Sequence, residues 1–190
     1  MIPDRLTDYI KVYEDFLDGD LCKRVVNELE KADWHQNSFY RSKDKTLVSH
    51  KDDLAISHDK IDHKDVIDKK LWSAVERYIL KDFSCFKKWF DGWNGYTHTR
   101  FNRYDVGTKM KLHCDHIQSM FDGERKGIPI LSMVGVLNDD FEGGEFVMFG
   151  DKKIELKAGS LLMFPSTFMF PHEVKPVKDG VRYSYVSWVW

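Results

Sequence analysis

His113 and Asp115 close the strand-like segment RFNRYDVGTKMKLHCDH. Strand side chains alternate with period two, so these two share one face while Cys114 and His116 take the other. A neutral imidazole and a carboxylate on one face offer two ligands of different charge to one divalent ion. His172, in the late segment PSTFMFPHEVKP, is the natural third ligand. Two histidines and one carboxylate leave positions open for a bidentate cosubstrate and dioxygen, the arrangement associated with non-haem Fe(II) oxygenases. Arg182 and Ser184 follow two residues apart and face one way. A guanidinium there can grip a carboxylate through two parallel hydrogen bonds, as the far end of a dicarboxylic cosubstrate would need. Each part alone is commonplace: His-x-Asp occurs in many strands, His172 beside Glu173 could sit on the surface, and Arg182 could pair with a nearby acid. Their order within a β-rich half favours a single site. His116 is an alternative ligand next to Asp115, but alternation turns it toward solvent or a supporting position. Cys114 reads as a packed core thiol.

The elements that must position these residues come in two groups. Residues 10–17 alternate loosely as a first strand, after which Asp18 or Asp20 can cap a helix running through about Trp34, with Leu21, Val25, Leu29 and Ala32 as its apolar face. The polar stretch from Gln36 to Asp62 has little periodicity and reads as a long loop, a candidate lid. Its histidines, His35, His50, His58 and His63 in or near it, suit the surface or substrate contact better than a metal. Ile67, Leu71, Val75, Tyr78 and Ile79 predict a second helix from about Lys64 to Lys81. From Thr97 onward, short β-branched or aromatic segments alternate with turn signals at Asp105-Val-Gly107, Gly143-Gly144 and Lys178-Asp-Gly180. That pattern predicts a mainly β fold with N-terminal helices, an antiparallel barrel or jelly roll of about eight strands with helices packed on one face. One domain over 1–190 is expected, with 1–96 as helical support and possible lid and 97–190 as the catalytic core.

Composition bounds the rest. A hydrophobic share of 42% and an aromatic share of 14% belong to a folded protein. The formal net charge of -2 gives no general attraction to nucleic acid or anionic membrane. No apolar run approaches the roughly 18 residues of a membrane span, and the first residues lack a basic-then-apolar leader, so a cytoplasmic protein is expected. Cys22, Cys85 and Cys114 are too few and too scattered for a disulfide framework or a thiolate zinc site.

The stretch from Asn102 to Trp190, about half of the chain, resembles the prolyl 4-hydroxylase-like branch of the Fe(II)/2-oxoglutarate-dependent dioxygenases. Tyr104 precedes the His-x-Asp motif by nine positions, as in that branch. LSMVGVLNDDFEGGEFVMF is similar to the family's hydrophobic strand, Leu-Asn turn and Gly-Gly-Glu strand, and GSLLMFPSTFMFPHEVKPVKDGVRYSYVSW to its final strands. The resemblance implies a double-stranded β-helix (cupin-like jelly roll). It places His113, Asp115 and His172 on Fe(II), Arg182 and Ser184 on the distal carboxylate of 2-oxoglutarate, Tyr104 and Ser132 in the same pocket, and Phe164 and Trp188 as aromatic lining. Dioxygen is then a co-reactant, ascorbate an optional addition, and a prolyl or other protein side chain the favoured substrate. A small-molecule hydroxylase and a non-catalytic cupin-like metal or sugar binding module are the competing readings. Met110, Val136 and Phe146 depart from residues frequent in the family, and none of them is a proposed ligand.

Overall fold

The computed structural model describes residues 2–41, 46–92, 95–115 and 129–190. Two helices come first, α1 (Gly19–Leu29) and α2 (Lys64–Arg77). The strands ahead of the β-rich half are β1 (Lys11–Tyr13), β2 (His35–Gln36), β3 (Phe39–Arg41), β4 (Thr46–Val48) and β5 (Ala55–Ser57). The β-rich half contributes β6 (Arg100–Tyr104), β7 (Met110–His113), β8 (Leu131–Val136), β9 (Glu142–Gly143) and β10 (Phe146–Met148). It continues with β11 (Lys152–Ile154), β12 (Leu161–Pro165), β13 (His172–Val174), β14 (Val177–Asp179) and β15 (Arg182–Val189). A seven-stranded sheet runs β1-β12-β8-β15-β6-β5-β2, and a four-stranded sheet runs β11-β10-β13-β7.

Period-two alternation explains how the large sheet serves two cores. Its outward residues, among them Phe101, Met133, Tyr183 and Tyr185, pack against Leu21, Val25 and Leu29 of α1 and Ile67, Leu71 and Val75 of α2. Its inward residues, Tyr104, Val134, Leu162, Phe164 and Val186, meet Phe146, Met148, Ile154 and Val174 of the small sheet. The result is a double-stranded β-helix with helices on one face, as expected. Among the described residues no helix is long and apolar enough to cross a membrane, and all three cysteines are free.

Close packing on the helical face has a test. A Cβ at Gly135 of β8 would fall within the ring of Tyr185 on the adjoining β15, and both backbones are fixed by the ladder. Gly135→Ala is expected to destabilise by about 3 kcal/mol, lowering Tm by about 6–12 °C for a chain of this size. Thermal denaturation followed by circular dichroism measures it.

Several boundaries differ from the sequence reading. Residues 10–17 hold a strand only over Lys11–Tyr13; Asp15 then adopts a positive φ of 51° and turns the chain. Asp18 does cap α1, accepting from the Leu21 N–H at 2.8 Å. The helix ends at Leu29, short of Trp34, because the Trp34 indole folds back and donates to the Leu29 carbonyl at 3.0 Å. The second helix is α-helical to Arg77 and finishes in a π turn over Tyr78–Asp82. The supposed loop from Gln36 to Asp62 carries β2 to β5, and β5 extends the large sheet beside β6, with Leu54 fully buried. Short strands flanked by polar residues hid this, since each gains its stability from a partner strand distant in sequence. Asp68 of α2 fastens the helix to the start of β6, accepting from the Thr99 backbone N–H at 3.0 Å and the Thr99 hydroxyl at 2.5 Å.

Candidate active site

β7 and β13 are antiparallel neighbours, and their register places His113 directly opposite His172. Asp115 follows two residues after His113 and is buried. One donor atom from each of the three lies within 4.8 Å of the others. His113 Nε2 is 3.4 Å from Asp115 Oδ1, and His172 Nε2 is 3.7 Å from Asp115 Oδ2. Among the described residues this is the one such group able to hold a metal.

Backbone carbonyls set which nitrogen faces the cluster. His113 Nδ1–H donates to the Lys111 carbonyl at 2.7 Å and His172 Nδ1–H to the Phe170 carbonyl at 3.1 Å. Both Nε2 lone pairs therefore turn toward Asp115, as metal ligands require. Phe146 stacks on His172 with centroids 5.3 Å apart, and Phe164 meets it edge-on at 4.9 Å, locking the ring. Burial pushes His172 below its ordinary range, against the opposing charge of Asp115, and so keeps it neutral. Burial alone would raise the Asp115 carboxyl, but its close neighbours His113, His172 and the Ser132 hydroxyl together hold it well below the usual carboxylate range. One anion and neutral imidazole at the site suit a divalent cation.

Ser132, expected in the cosubstrate pocket, donates to Asp115 Oδ2 at 2.6 Å and is itself 2.7 Å from the Ser166 hydroxyl. Register sets this contact: Ser132 pairs with Trp188, six residues along β15 from Arg182. Hydrogen bonds that orient a ligand carboxylate are worth 10- to 100-fold in metal affinity. Ser132→Ala should therefore weaken Fe(II) binding by about that factor while leaving 2-oxoglutarate affinity at saturating metal nearly intact; an anaerobic metal titration decides it.

Arg182 is 2% exposed. It donates to Ser184 Oγ at 3.0 Å and lies 5.0 Å from the centroid of the Tyr104 ring. No carboxylate of the described residues is within ion-pair distance of it. Removing a guanidinium from water without an anion is costly, so this environment is built for an incoming carboxylate. A cavity of about 270 Å³ opens beside Arg182, walled in part by Val136, Gly144 and Phe146. Phe146 also touches His172, so the cavity and the metal cluster share a wall. The donor set and the unpaired cation thus fit Fe(II) and a dicarboxylate.

The remaining expected residues fall near by. Phe164 is fully buried against His172, and Trp188 is half-buried one strand from Ser132. Cys114 is not a core thiol: it is half-buried, and its Sγ–H donates to the Phe168 carbonyl at 3.3 Å. His116 lies outside the described residues. Ser166, the packing of Phe146 on His172 and the two orienting carbonyls escaped sequence reading, because each contact is set by the fold and not by a local motif.

Residues 99–190 match the 2OG-Fe(II) oxygenase superfamily. Residues 99–190 form a 2OG-Fe(II) oxygenase domain. A PKHD-type hydroxylase of Shewanella oneidensis is 39% identical to this chain over 94 residues, covering 47% of this chain and 41% of that protein. One from Thermosynechococcus vestitus is 37% identical over 94 residues, with the same coverage. The chain thus spans about two-fifths of the length of these relatives. Solved structures agree in fold. A Trichoplax adhaerens prolyl hydroxylase, in complex with a hypoxia inducible factor oxygen degradation domain peptide fragment, superposes with TM-score 0.69 at 22% identity, covering 97% of this chain and 84% of that one. A Pseudomonas putida prolyl-4-hydroxylase gives 0.63 at 23% identity, covering 95% and 91%. The oxygenase domain's family implies Fe(II), 2-oxoglutarate and dioxygen.

Proposed function

We propose that this chain is an Fe(II)- and 2-oxoglutarate-dependent hydroxylase acting on a prolyl or other protein side chain. The observation that carries the reading is the convergence of His113, Asp115 and His172 within one barrel that also buries Arg182 with no carboxylate partner among the described residues. Fe(II) with 2-oxoglutarate and dioxygen supplies hydroxylation of a C–H bond, releasing succinate and carbon dioxide with one oxygen atom in each of the hydroxyl and the succinate. The chain's own part is to bind and orient. His113, His172 and Asp115 hold the ion; Arg182, Ser184 and Tyr104 receive the distal carboxylate. Burial keeps the Tyr104 phenol protonated, so it stays neutral beside that carboxylate. Phe146 and Phe164 exclude water from the His172 side. The peptide bound to the Trichoplax protein supports a protein or peptide substrate here.

The test is direct. Anaerobic addition of Fe(II) and 2-oxoglutarate should give a weak visible charge-transfer band, and admission of oxygen should yield succinate. Proline-bearing peptides and cellular extracts are then screened for a mass gain of one oxygen. Absence of both band and succinate would leave a binding module. A mass gain confined to small molecules would move the substrate class.

A further inference from the structure

A second guanidinium faces the same interior. Along β6, Arg100, Asn102 and Tyr104 alternate with Phe101 and Arg103, and Phe101 belongs to the helical core. Tyr104 is opposite Arg182, Asn102 is opposite Ser184, and Arg100 is opposite Val186. Arg100 therefore sits four residues, about 13 Å, along the strand from the Arg182 level, on the side where Trp188 and Ser132 lie. Its Cζ is 5.0 Å from the centroid of Trp188.

No carboxylate of the described residues is within ion-pair distance of Arg100, Asp115 acting on it only at longer range, and its Nε is buried without a hydrogen-bond partner. Asn102, the next inward residue, is 3% exposed, and its Oδ1 is also buried and unpartnered. Two adjacent inward polar groups left unsatisfied carry a desolvation cost that a ligand could remove. The cosubstrate cannot serve both cations: its distal carboxylate belongs at Arg182, and the rest of it is directed to the metal. The face of Trp188 holds the guanidinium plane in place and leaves its edge for a planar partner.

We propose that Arg100 is a specificity-determining residue that receives a carboxylate of the substrate, with the Asn102 Oδ1 placed to accept from a substrate N–H and Trp188 as the surface that orients the guanidinium. This rests on the oxygenase reading above and narrows its substrate to one that carries an anion close to the carbon to be oxidised. The carboxylate could be the C-terminus of a peptide or an acidic side chain beside the target residue.

The experiment uses the full chain loaded with Zn(II) and 2-oxoglutarate, so that the metal cluster and Arg182 are occupied. Arginine Nε–H resonances are followed by NMR, Arg100 being assigned by comparison with R100K. N-acetylproline and its primary amide test a terminal carboxylate; capped Pro-Glu and Pro-Gln dipeptides test a side chain. One acid should perturb the Arg100 signal and bind about tenfold or more tightly than its amide. That preference should vanish in R100Q and survive in part in R100K, whose folding is checked by thermal denaturation. Which acid does so identifies the source. The proposal fails if neither acid is preferred over its amide, or if R100Q weakens 2-oxoglutarate and leaves the preference intact, which would assign Arg100 to the cosubstrate. Failure of 2-oxoglutarate to bind the loaded wild type would instead count against the oxygenase reading itself.

Discussion

Asp115→Ala is expected to abolish Fe(II) binding and, with it, succinate formation, by about 10²- to 10⁴-fold. Removing one partner from a buried charged cluster costs about 3–5 kcal/mol, and each 1.36 kcal/mol is a factor of ten in rate or affinity. The carboxylate is the anion of the site: it lies 3.4 and 3.7 Å from the two imidazoles and touches both Nε2 atoms' side of the cluster. The metal-free fold should withstand the change. Alanine deletes a buried charge, and the Ser132 hydroxyl keeps its contact with Ser166. A metal titration and a melting curve on the same sample separate the two effects. Asp115→Asn keeps the shape and the Ser132 contact but not the charge, so it should lose nearly as much. Wild-type Fe(II) affinity in either variant would remove Asp115 from the site.

How much of this was readable in advance follows from the range of each interaction. His113 and Asp115 were legible because alternation along a single strand is local, and His172 because residue chemistry and order sufficed to nominate it. Their meeting was not legible: the His113–His172 register depends on strand pairing across 59 residues. Ser132 shows the same limit, since its partner was decided by its level along β8 and not by its type. Boundaries failed where a tertiary contact overrode a local trend, as when the Trp34 indole closed α1 five residues early. The polar segment after it looked structureless because β5 is three residues long and stable only between β6 and β2 of the large sheet. The alternation of Arg100 with Asn102 and Tyr104 was visible in RFNRY, but a sequence cannot say that a guanidinium is buried and unpaired.

Arg182→Gln should raise the dissociation constant for 2-oxoglutarate by about 10²-fold, equivalent to about 3 kcal/mol, the loss of one or two charge-assisted hydrogen bonds. The maximal rate at saturating cosubstrate should change far less, because the interaction is made in the ground state and the transition state alike. Arg182→Lys should recover part of the loss: a lysine supplies charge but not a planar fork. The same substitution has an opposite effect on the empty protein. Arg182 is buried, hydrogen-bonded to Ser184, set over the Tyr104 ring, and without an acidic partner in ion-pair distance among the described residues. Burial pushes its guanidinium down from its ordinary range, and the residue nevertheless stays charged. Glutamine relieves that desolvation, so ligand-free Arg182→Gln should melt at or above the wild-type temperature while binding 2-oxoglutarate more weakly. A structural arginine would give the reverse pair, lower stability with unchanged cosubstrate affinity. Stability and binding measured together therefore decide whether the barrel keeps this cation for its own sake or for the carboxylate that enters it.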